Sequence, residues 1–178
     1  LPGYTGAFVP APGFSEYKAA LEASRIPVRD IYYRPREDEH GKPYFEVPYL
    51  ALETFAAELK GQDGRIIVFL GNPNNPDGTL LDKNHIRTIA SMLKDANSLL
   101  VIDESFIDFV GNDTLQDNEY SMRSLVNEFD NIIVVHSFTK FYAVPGLRIG
   151  AAFSNPLIIE QLNSFIPTWS VNTLAQSY

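Results

Sequence analysis

The sequence of 178 residues contains no cysteine, which excludes both a disulfide framework and a thiolate metal site. Its three histidines lack the spacing of metal ligands, so we predict no metal site. No apolar run approaches the roughly 20 residues that a membrane-spanning helix needs. Basic residues are also scarce, with 14 Lys and Arg against 22 Asp and Glu and a net charge of -8. Because nucleic-acid-binding proteins of this size are normally basic, we expect neither nucleic acid nor a membrane as a partner.

The first residues, LPGYTGAFVPAP, lack the basic start and the long apolar core of a signal peptide. We therefore expect a cytoplasmic protein. The chain also begins without methionine, and we expect it to be a piece of a longer polypeptide. With 45% hydrophobic and 20% charged residues, the composition is typical of a globular domain with a sizeable core.

Short runs of β-branched and other apolar residues predict the strands IIVFL (66–70), LLVI (99–102) and IIVV (132–135). None alternates polar with apolar residues, which is typical of strands that are covered on both faces of a parallel sheet. Helical spacing, turn residues and further short runs predict helices over 16–23, 52–59, 86–93 and 156–164, strands over 28–33 and 149–153, and exposed polar loops over 34–48 and 111–120. The alternation of elements predicts an α/β fold with a mostly parallel sheet sandwiched by helices.

Ligands of such sheets bind beyond the carboxyl ends of the strands. Three polar segments follow the three predicted strands there: GNPNNPDG (71–78), DESF (103–106) and HSFTK (136–140). Each has a simpler explanation. The first could be only a turn, Asp103 could cap a helix, and Lys140 and Arg148 could be surface cations. However, both cations stand among apolar residues, and burial of an unpaired charge costs several kcal/mol, so we favour an anionic ligand.

Pyridoxal phosphate is a ligand that needs these residue types together. Its aldehyde forms a Schiff base with a lysine, and its pyridine nitrogen needs a carboxylate to stay protonated. Its phosphate needs an arginine and hydroxyl donors, and its ring oxygen needs a donor such as an amide. The candidates for these roles are Lys140, Asp103, Arg148 with Ser137, and Asn75.

The chain resembles the fold-type I pyridoxal-phosphate enzymes of the aminotransferase class I/II superfamily, with the motifs NPDG (75–78), DESF, SFTK (137–140) and GLRIG (146–150) in the family's order. The resemblance implies that Asn75 contacts the ring oxygen, that Asp103 holds the pyridinium and that Lys140 forms the Schiff base. It implies that Ser137 and Arg148 bind the phosphate. PGF (12–14) matches the place where the family stacks an aromatic ring on the cofactor, so Phe14 is the candidate; a core aromatic is the alternative.

The same resemblance implies that residues 1–178 form the cofactor-binding large domain, truncated at both ends. In the family an N-terminal segment precedes this part, a small domain follows it, and the active sites lie between the subunits of a homodimer. We therefore expect a homodimer that acts on a small amino acid phosphate. Trp169 and Asn172 are expected to border the site or a partner subunit, with core packing as the alternative. Glu104 and His136 are expected to be structural residues.

Within the superfamily, the chain looks most like threonine-phosphate decarboxylase and next like histidinol-phosphate aminotransferase. The aminotransferase has DEAY where this chain has DESF, so Phe106 stands in place of a tyrosine whose hydroxyl bonds the ring oxygen. The segments KFYAVPGLRIG and PTWSVN are also similar to the decarboxylase. The resemblance implies a decarboxylase of L-threonine O-3-phosphate that serves cobalamin biosynthesis. An aminotransferase and a non-catalytic fragment are the alternatives.

Overall fold

A computed structural model of the chain describes residues 3–59, 64–111 and 118–177. Within these ranges the strands are β1 (Tyr4–Ala11), β2 (Val28–Tyr32), β3 (Arg34–Glu37), β4 (Pro43–Glu46), β5 (Arg65–Gly71), β6 (Leu99–Asp103), β7 (Ile132–Ser137) and β8 (Gly150–Phe153). The helices are α1 (Ser15–Ala23), α2 (Tyr49–Glu58), α3 (Lys83–Asp95), α4 (Pro156–Asn163) and α5 (Thr173–Ser177). Short 3₁₀ turns lie at Ile107–Phe109, Arg123–Asn127 and Pro145–Leu147.

Six strands form one sheet in the order β2-β1-β5-β6-β7-β8. The first five are parallel, and β8 runs antiparallel to β7. This arrangement confirms the mostly parallel α/β fold that the unalternating apolar runs predicted. The predicted strand over 149–153 is also confirmed, but sequence periodicity carried no information on its direction.

Apolar side chains of the central strands alternate between two cores, one on each face of the sheet. Ile66, Val68 and Leu70 of β5 pack into the core below α2 and α3, whereas Ile67 packs into the other core beside Leu21 of α1. Ile158 and Leu162 of α4 also lie against the second core. Helices therefore cover both faces, as the fold prediction required.

Helix α3 shows how strongly the local sequence sets an element. Its four buried residues are those of the predicted apolar stripe, Ile86, Ile89, Ala90 and Leu93. The helix begins after Asp82, whose carboxylate accepts hydrogen bonds from the backbone N–H groups of Asn84 and His85 over 2.9 and 3.1 Å. Such a cap satisfies two N–H groups that have no partner inside the helix.

One prediction about the first third of the chain was wrong, and one strand was missed. Residues 34–48 are not simply a loop, because β3 and β4 pair there as an antiparallel hairpin whose residues are mostly exposed. β1 was not predicted at all, although it lies between β2 and β5 inside the sheet. Its sequence, YTGAFVPA, contains glycine and proline, which weaken the strand signal. Of the predicted loop 111–120, residues 112–117 lie outside the described residues.

Candidate active site

The carboxyl ends of β5, β6 and β7 meet at one edge of the sheet. The register pairs Gly71 with Asp103 and Asp103 with Val135, two residues before the end of β7. The polar segments that follow these strands therefore lie side by side, as predicted from their positions in the sequence.

A pocket lies at this edge, and eight residues from four parts of the chain line it: Phe14, Tyr17, Pro73, Asn75, Asp103, Ser105, Phe106 and Lys140. Five of the seven predicted site residues are thus brought together. The amine nitrogen Nζ of Lys140 lies 5.1 Å from the centroid of the Phe106 ring, over its face. This is the distance range of a cation–π contact.

Asp103 is held on both carboxylate oxygens. Oδ2 accepts a hydrogen bond of 2.7 Å from the Tyr17 hydroxyl, and Oδ1 accepts one of 2.8 Å from the backbone N–H of Ser105. Burial and the neighbouring Asp103 carboxylate raise the pKa of Tyr17 far above its usual value, so the hydroxyl remains a donor. The alternative in which Asp103 caps a helix is wrong, because the next short turn begins after Phe106.

The three asparagines of the Asn-rich turn have different surroundings. Asn72 is fully buried; its amide donates to the Tyr120 carbonyl over 2.8 Å, and its oxygen accepts from the Leu81 N–H over 3.0 Å. Asn74 is also buried and donates to the carbonyl of Pro12 and to Asp77 Oδ1, both over 3.0 Å. Asn75 lines the pocket. Hydrogen bonds inside the protein therefore account for Asn72 and Asn74, whereas Asn75 faces the pocket.

Phe14 follows a tight turn that requires glycine at its centre. A Cβ atom on Gly13 would lie 2.2 Å from the carbonyl oxygen of Pro10, which no side chain tolerates. Phe14 then precedes α1, and its ring is 42% exposed. It meets the Tyr17 ring edge-on, with 5.5 Å between the centroids. Phe14 is therefore not a core aromatic, and it presents its side chain to the pocket.

Ser137 and Arg148 are not among the residues that line the pocket. The Ser137 hydroxyl lies 2.7 Å from that of Thr139, and Arg148 is exposed, with Nη1 donating to the Pro145 carbonyl over 3.1 Å. Lys140 is exposed as well. The expectation that Lys140 and Arg148 are buried is therefore wrong, because several of their apolar neighbours, such as Phe141, are exposed too.

Glu104 and His136, near the site, are buried structural residues, as predicted. Glu104 is fully buried and accepts hydrogen bonds from the Ser121 hydroxyl over 2.7 Å and from the Met122 N–H over 2.5 Å. Nε2 of His136 lies 3.0 Å from Oδ2 of Asp108, and both side chains are almost completely buried. Burial lowers the pKa of His136, and the Asp108 carboxylate opposes that effect.

The segment near the C-terminal end is exposed, so core packing is wrong for Trp169 and Asn172. Trp169 is 87% exposed. The amide of Asn172 donates to the Leu147 carbonyl over 2.7 Å, which connects this segment to the residue before Arg148.

Sequence reasoning missed Tyr17, although it contacts Asp103 directly. The available signal was its position three residues after Phe14 at the start of a predicted helix, since residues at that spacing share one helix face.

The residues of the pocket fit the ring end of pyridoxal phosphate. An amine, a carboxylate, an amide and an exposed aromatic ring share one pocket, and these groups are the ones that the aldehyde, pyridine nitrogen, ring oxygen and ring face need. The enclosed volume of the pocket is about 40 Å³, and two of the residues that line it, Phe14 and Lys140, are exposed.

Other kinds of site find no support in the described ranges. Among those residues, no His, Asp and Glu side chains gather in a group that could bind a metal ion. None of the described helices is long and apolar enough to cross a membrane.

The fold and the site define an α/β protein with a cofactor-type pocket at the carboxyl edge of a parallel sheet. The chain belongs to the aminotransferase class I and II family, whose model matches residues 2–178. This membership confirms the family that the motifs indicated, and with it pyridoxal phosphate as the cofactor.

Curated relatives match almost the whole chain. It is 34% identical over 172 residues to the adenosylcobalamin biosynthesis bifunctional protein CobDQ of Leptospira interrogans, covering 96% of this chain and 18% of that protein. It is 33% identical over 175 residues to the threonine-phosphate decarboxylase of Salmonella typhimurium, covering 95% and 42%. The chain thus spans less than half the length of either relative.

A solved structure shows the same fold. The histidinol-phosphate aminotransferase from Clostridium acetobutylicum superposes with a TM-score of 0.77 at 23% identity, over 97% of this chain and 46% of that one. The mostly parallel sheet with helices on both faces is thereby confirmed as the fold of this family.

Proposed function

We propose that the protein to which this chain belongs removes carbon dioxide from L-threonine O-3-phosphate and forms (R)-1-amino-2-propanol O-2-phosphate for cobalamin biosynthesis. The observation that carries the proposal is Phe106. It lines the pocket three residues after Asp103, its ring faces the Lys140 amine, and it has no hydroxyl. The similarity to a threonine-phosphate decarboxylase over 95% of the chain supports it.

The pocket residues divide the work between binding and proton transfer. When bound, pyridoxal phosphate supplies an electron-poor ring that takes up the electron pair left on the α carbon of the substrate. We propose that the side-chain amine of Lys140 is the group that holds the cofactor. Once the bond from the α carbon to the carboxylate has broken and carbon dioxide has left, Nζ of Lys140 would donate a proton to that carbon. The net change is one proton taken up and one carbon dioxide released.

The other residues bind and orient. With the cofactor bound, Asp103 would accept a hydrogen bond from the protonated pyridine nitrogen, and Asn75 would donate one to the ring oxygen. Phe14 would cover one face of the ring and keep water from it. Ser137 and Arg148 would bind the phosphate. The guanidinium of Arg148 uses Nη1 for the Pro145 carbonyl and keeps further N–H groups for an anion.

The second candidate is transamination of histidinol phosphate, since a histidinol-phosphate aminotransferase shares the fold. Both reactions would use Lys140, Asp103 and Asn75 in the same way, and they differ in which bond to the α carbon breaks. Phe106 favours the decarboxylase, because the aminotransferases that the chain resembles have a tyrosine there. A third candidate is a binding domain that retains the pocket without catalysis.

One experiment separates the three. The complete protein is incubated with cofactor and L-threonine O-3-phosphate, and released carbon dioxide is measured. A parallel reaction with histidinol phosphate and 2-oxoglutarate is assayed for glutamate. Carbon dioxide without glutamate supports the proposal, and glutamate alone supports the aminotransferase. Neither product, with the visible absorbance of bound cofactor still present, supports the binding domain.

Lys140 has a matched control in the exposed Lys42 of the β3–β4 turn. We expect Lys140→Ala to abolish both the absorbance of bound cofactor and the release of carbon dioxide. Lys42→Ala should keep both. Retention of activity in Lys140→Ala would refute the role of this amine.

We also propose that the protein acts as a cytoplasmic homodimer. Large apolar side chains outside the strands are exposed, among them Phe109 at 60%, Phe141 at 45% and Trp169 at 87%. Burial of such side chains is a common driving force of association. Sedimentation of the complete protein should give twice the mass of one chain, and a mass of one chain would refute the dimer. Cell fractionation tests the location.

A further inference from the structure

Tyr17 joins helix α1 to the end of β6. Its hydroxyl donates the hydrogen bond of 2.7 Å to Oδ2 of Asp103, across 86 positions of sequence. Apart from Phe14, it is the only residue of α1 or its N-terminal cap among those that line the described pocket. None of the sequence motifs assigns a role to Tyr17, although its hydroxyl contacts the Asp103 carboxylate directly.

The Tyr17 ring is fixed by its neighbours. It stacks on Phe69 of β5 with 5.4 Å between centroids and an angle of 23° between the rings. Phe14, which also lines the pocket, meets it edge-on. Because stacked and edge-on ring contacts each restrict the ring, the hydroxyl has little freedom to leave Asp103.

The Asp103 carboxylate needs a second fixed donor. Rotation about the bond to a carboxylate is soft, so an aspartate with one hydrogen bond still pivots. The Ser105 N–H fixes Oδ1, and the Tyr17 hydroxyl fixes Oδ2. Two donors on two oxygens set the plane of the carboxylate, and each oxygen keeps a lone pair for a further donor.

We infer that Tyr17 is a positioning residue, which fixes the plane of the Asp103 carboxylate so that it meets the N–H of the cofactor's pyridine ring. The charge-assisted hydrogen bond between the carboxylate and the pyridine N–H depends strongly on this alignment. The packing of other side chains around the cofactor ring depends on it less. The inference rests on the proposed role of Asp103 in holding the cofactor, and it holds for a decarboxylase and an aminotransferase alike.

The test compares two cofactors. The complete protein, stripped of cofactor, is titrated with pyridoxal phosphate and with its 1-deaza analogue, in which a C–H group replaces the pyridine nitrogen. Binding is followed by the absorbance of the bound cofactor. Tyr17→Phe keeps the stacked ring. We expect it to lower the affinity for pyridoxal phosphate by about tenfold and the affinity for the analogue by less than about twofold.

Tyr32→Phe is the matched control. Tyr32 also donates to an aspartate, Asp30 Oδ2, over 3.4 Å, but it is 70% exposed and does not line the pocket. It should leave both affinities unchanged. In an Asp103→Asn background, Tyr17→Phe should cost pyridoxal phosphate no further affinity.

Equal weakening of both cofactors by Tyr17→Phe would overturn the inference, because a role in packing alone does not distinguish a nitrogen from a C–H group. No change with either cofactor would overturn it as well. The readout is binding and not turnover, so failure here is distinct from failure of the proposed function, which is decided by the products.

Discussion

The side-chain amide of Asn74 donates a hydrogen bond of 3.0 Å to the carbonyl oxygen of Pro12. These residues are 62 positions apart, and the bond connects the turn that carries Phe14 to the turn that carries Asn75. The same amide also donates to Asp77 Oδ1. One buried side chain thus sets the distance between two walls of the pocket.

We expect Asn74→Ala to separate these walls. It removes two hydrogen bonds and leaves a half-buried carbonyl without its donor, so the free energy of unfolding should fall by about 2 kcal/mol. The affinity for pyridoxal phosphate should fall with it. Urea unfolding and cofactor titration measure the two effects. Asn84→Ala, at an exposed asparagine of α3, is the control and should leave cofactor affinity intact; a similar loss there would count against the connection.

Phe106→Tyr tests what the missing hydroxyl does. The added hydroxyl can donate to the ring oxygen of the cofactor, and one such bond is worth about 1 kcal/mol. We expect about fivefold tighter cofactor binding in a titration, while carbon dioxide remains the main product. Phe165→Tyr, at a residue that is 67% exposed and does not line the pocket, should change neither. If Phe106→Tyr made glutamate the main product, the residue would by itself select the reaction.

Glu104 gives the protein a pH dependence of stability. Burial raises the pKa of Glu104 above its ordinary value of 4.5, although the Met122 N–H, the Ser121 hydroxyl and the Asn72 amide act against the shift. The folded chain therefore binds this proton more tightly than the unfolded chain does. The contribution to stability is complete below the ordinary value and is lost as the pH rises through the raised pKa.

Glu104→Gln removes the titration and keeps an acceptor for the Met122 N–H. Relative to this variant, the wild type should lose stability as the pH rises from 4.5, and then run parallel to it. Urea unfolding between mildly acidic and neutral pH measures the difference. Glu104→Ala leaves buried donors unpaired, and we expect a loss of about 3 kcal/mol. A constant difference between wild type and Glu104→Gln would contradict the assignment.

Asp82→Ala removes the cap of α3. Two backbone N–H groups lose their acceptor, and such caps contribute about 1 kcal/mol. Thermal or urea unfolding should show this loss, and Asp82→Asn should recover most of it because an amide oxygen also caps a helix. The cofactor affinity of both variants should match the wild type, since Asp82 does not line the pocket.

Local patterns in the sequence carried much of the fold. The sequence predicted β5, β6 and β7 from their apolar runs and α3 from its apolar stripe. These patterns are visible because the residues that an element buries follow the period of that element. The order of the motifs also placed Asn75, Asp103 and Lys140 at one edge of the sheet. β1 and the β3–β4 hairpin were not readable, because their pairing depends on partners elsewhere in the chain and not on their own residues.

The sequence by itself placed Asn75, Asp103 and Lys140 in one pocket, because the order of the motifs and the parallel strands bring them to one edge of the sheet. Only the tertiary structure decided how those groups are held. The bonds from Tyr17 to Asp103 and from Asn74 to Pro12 join segments 86 and 62 positions apart. The exposure of Lys140 likewise depends on how the other elements of the chain pack around it. Distances and coverage of this kind arise from packing between elements, on which local periodicity carries no information.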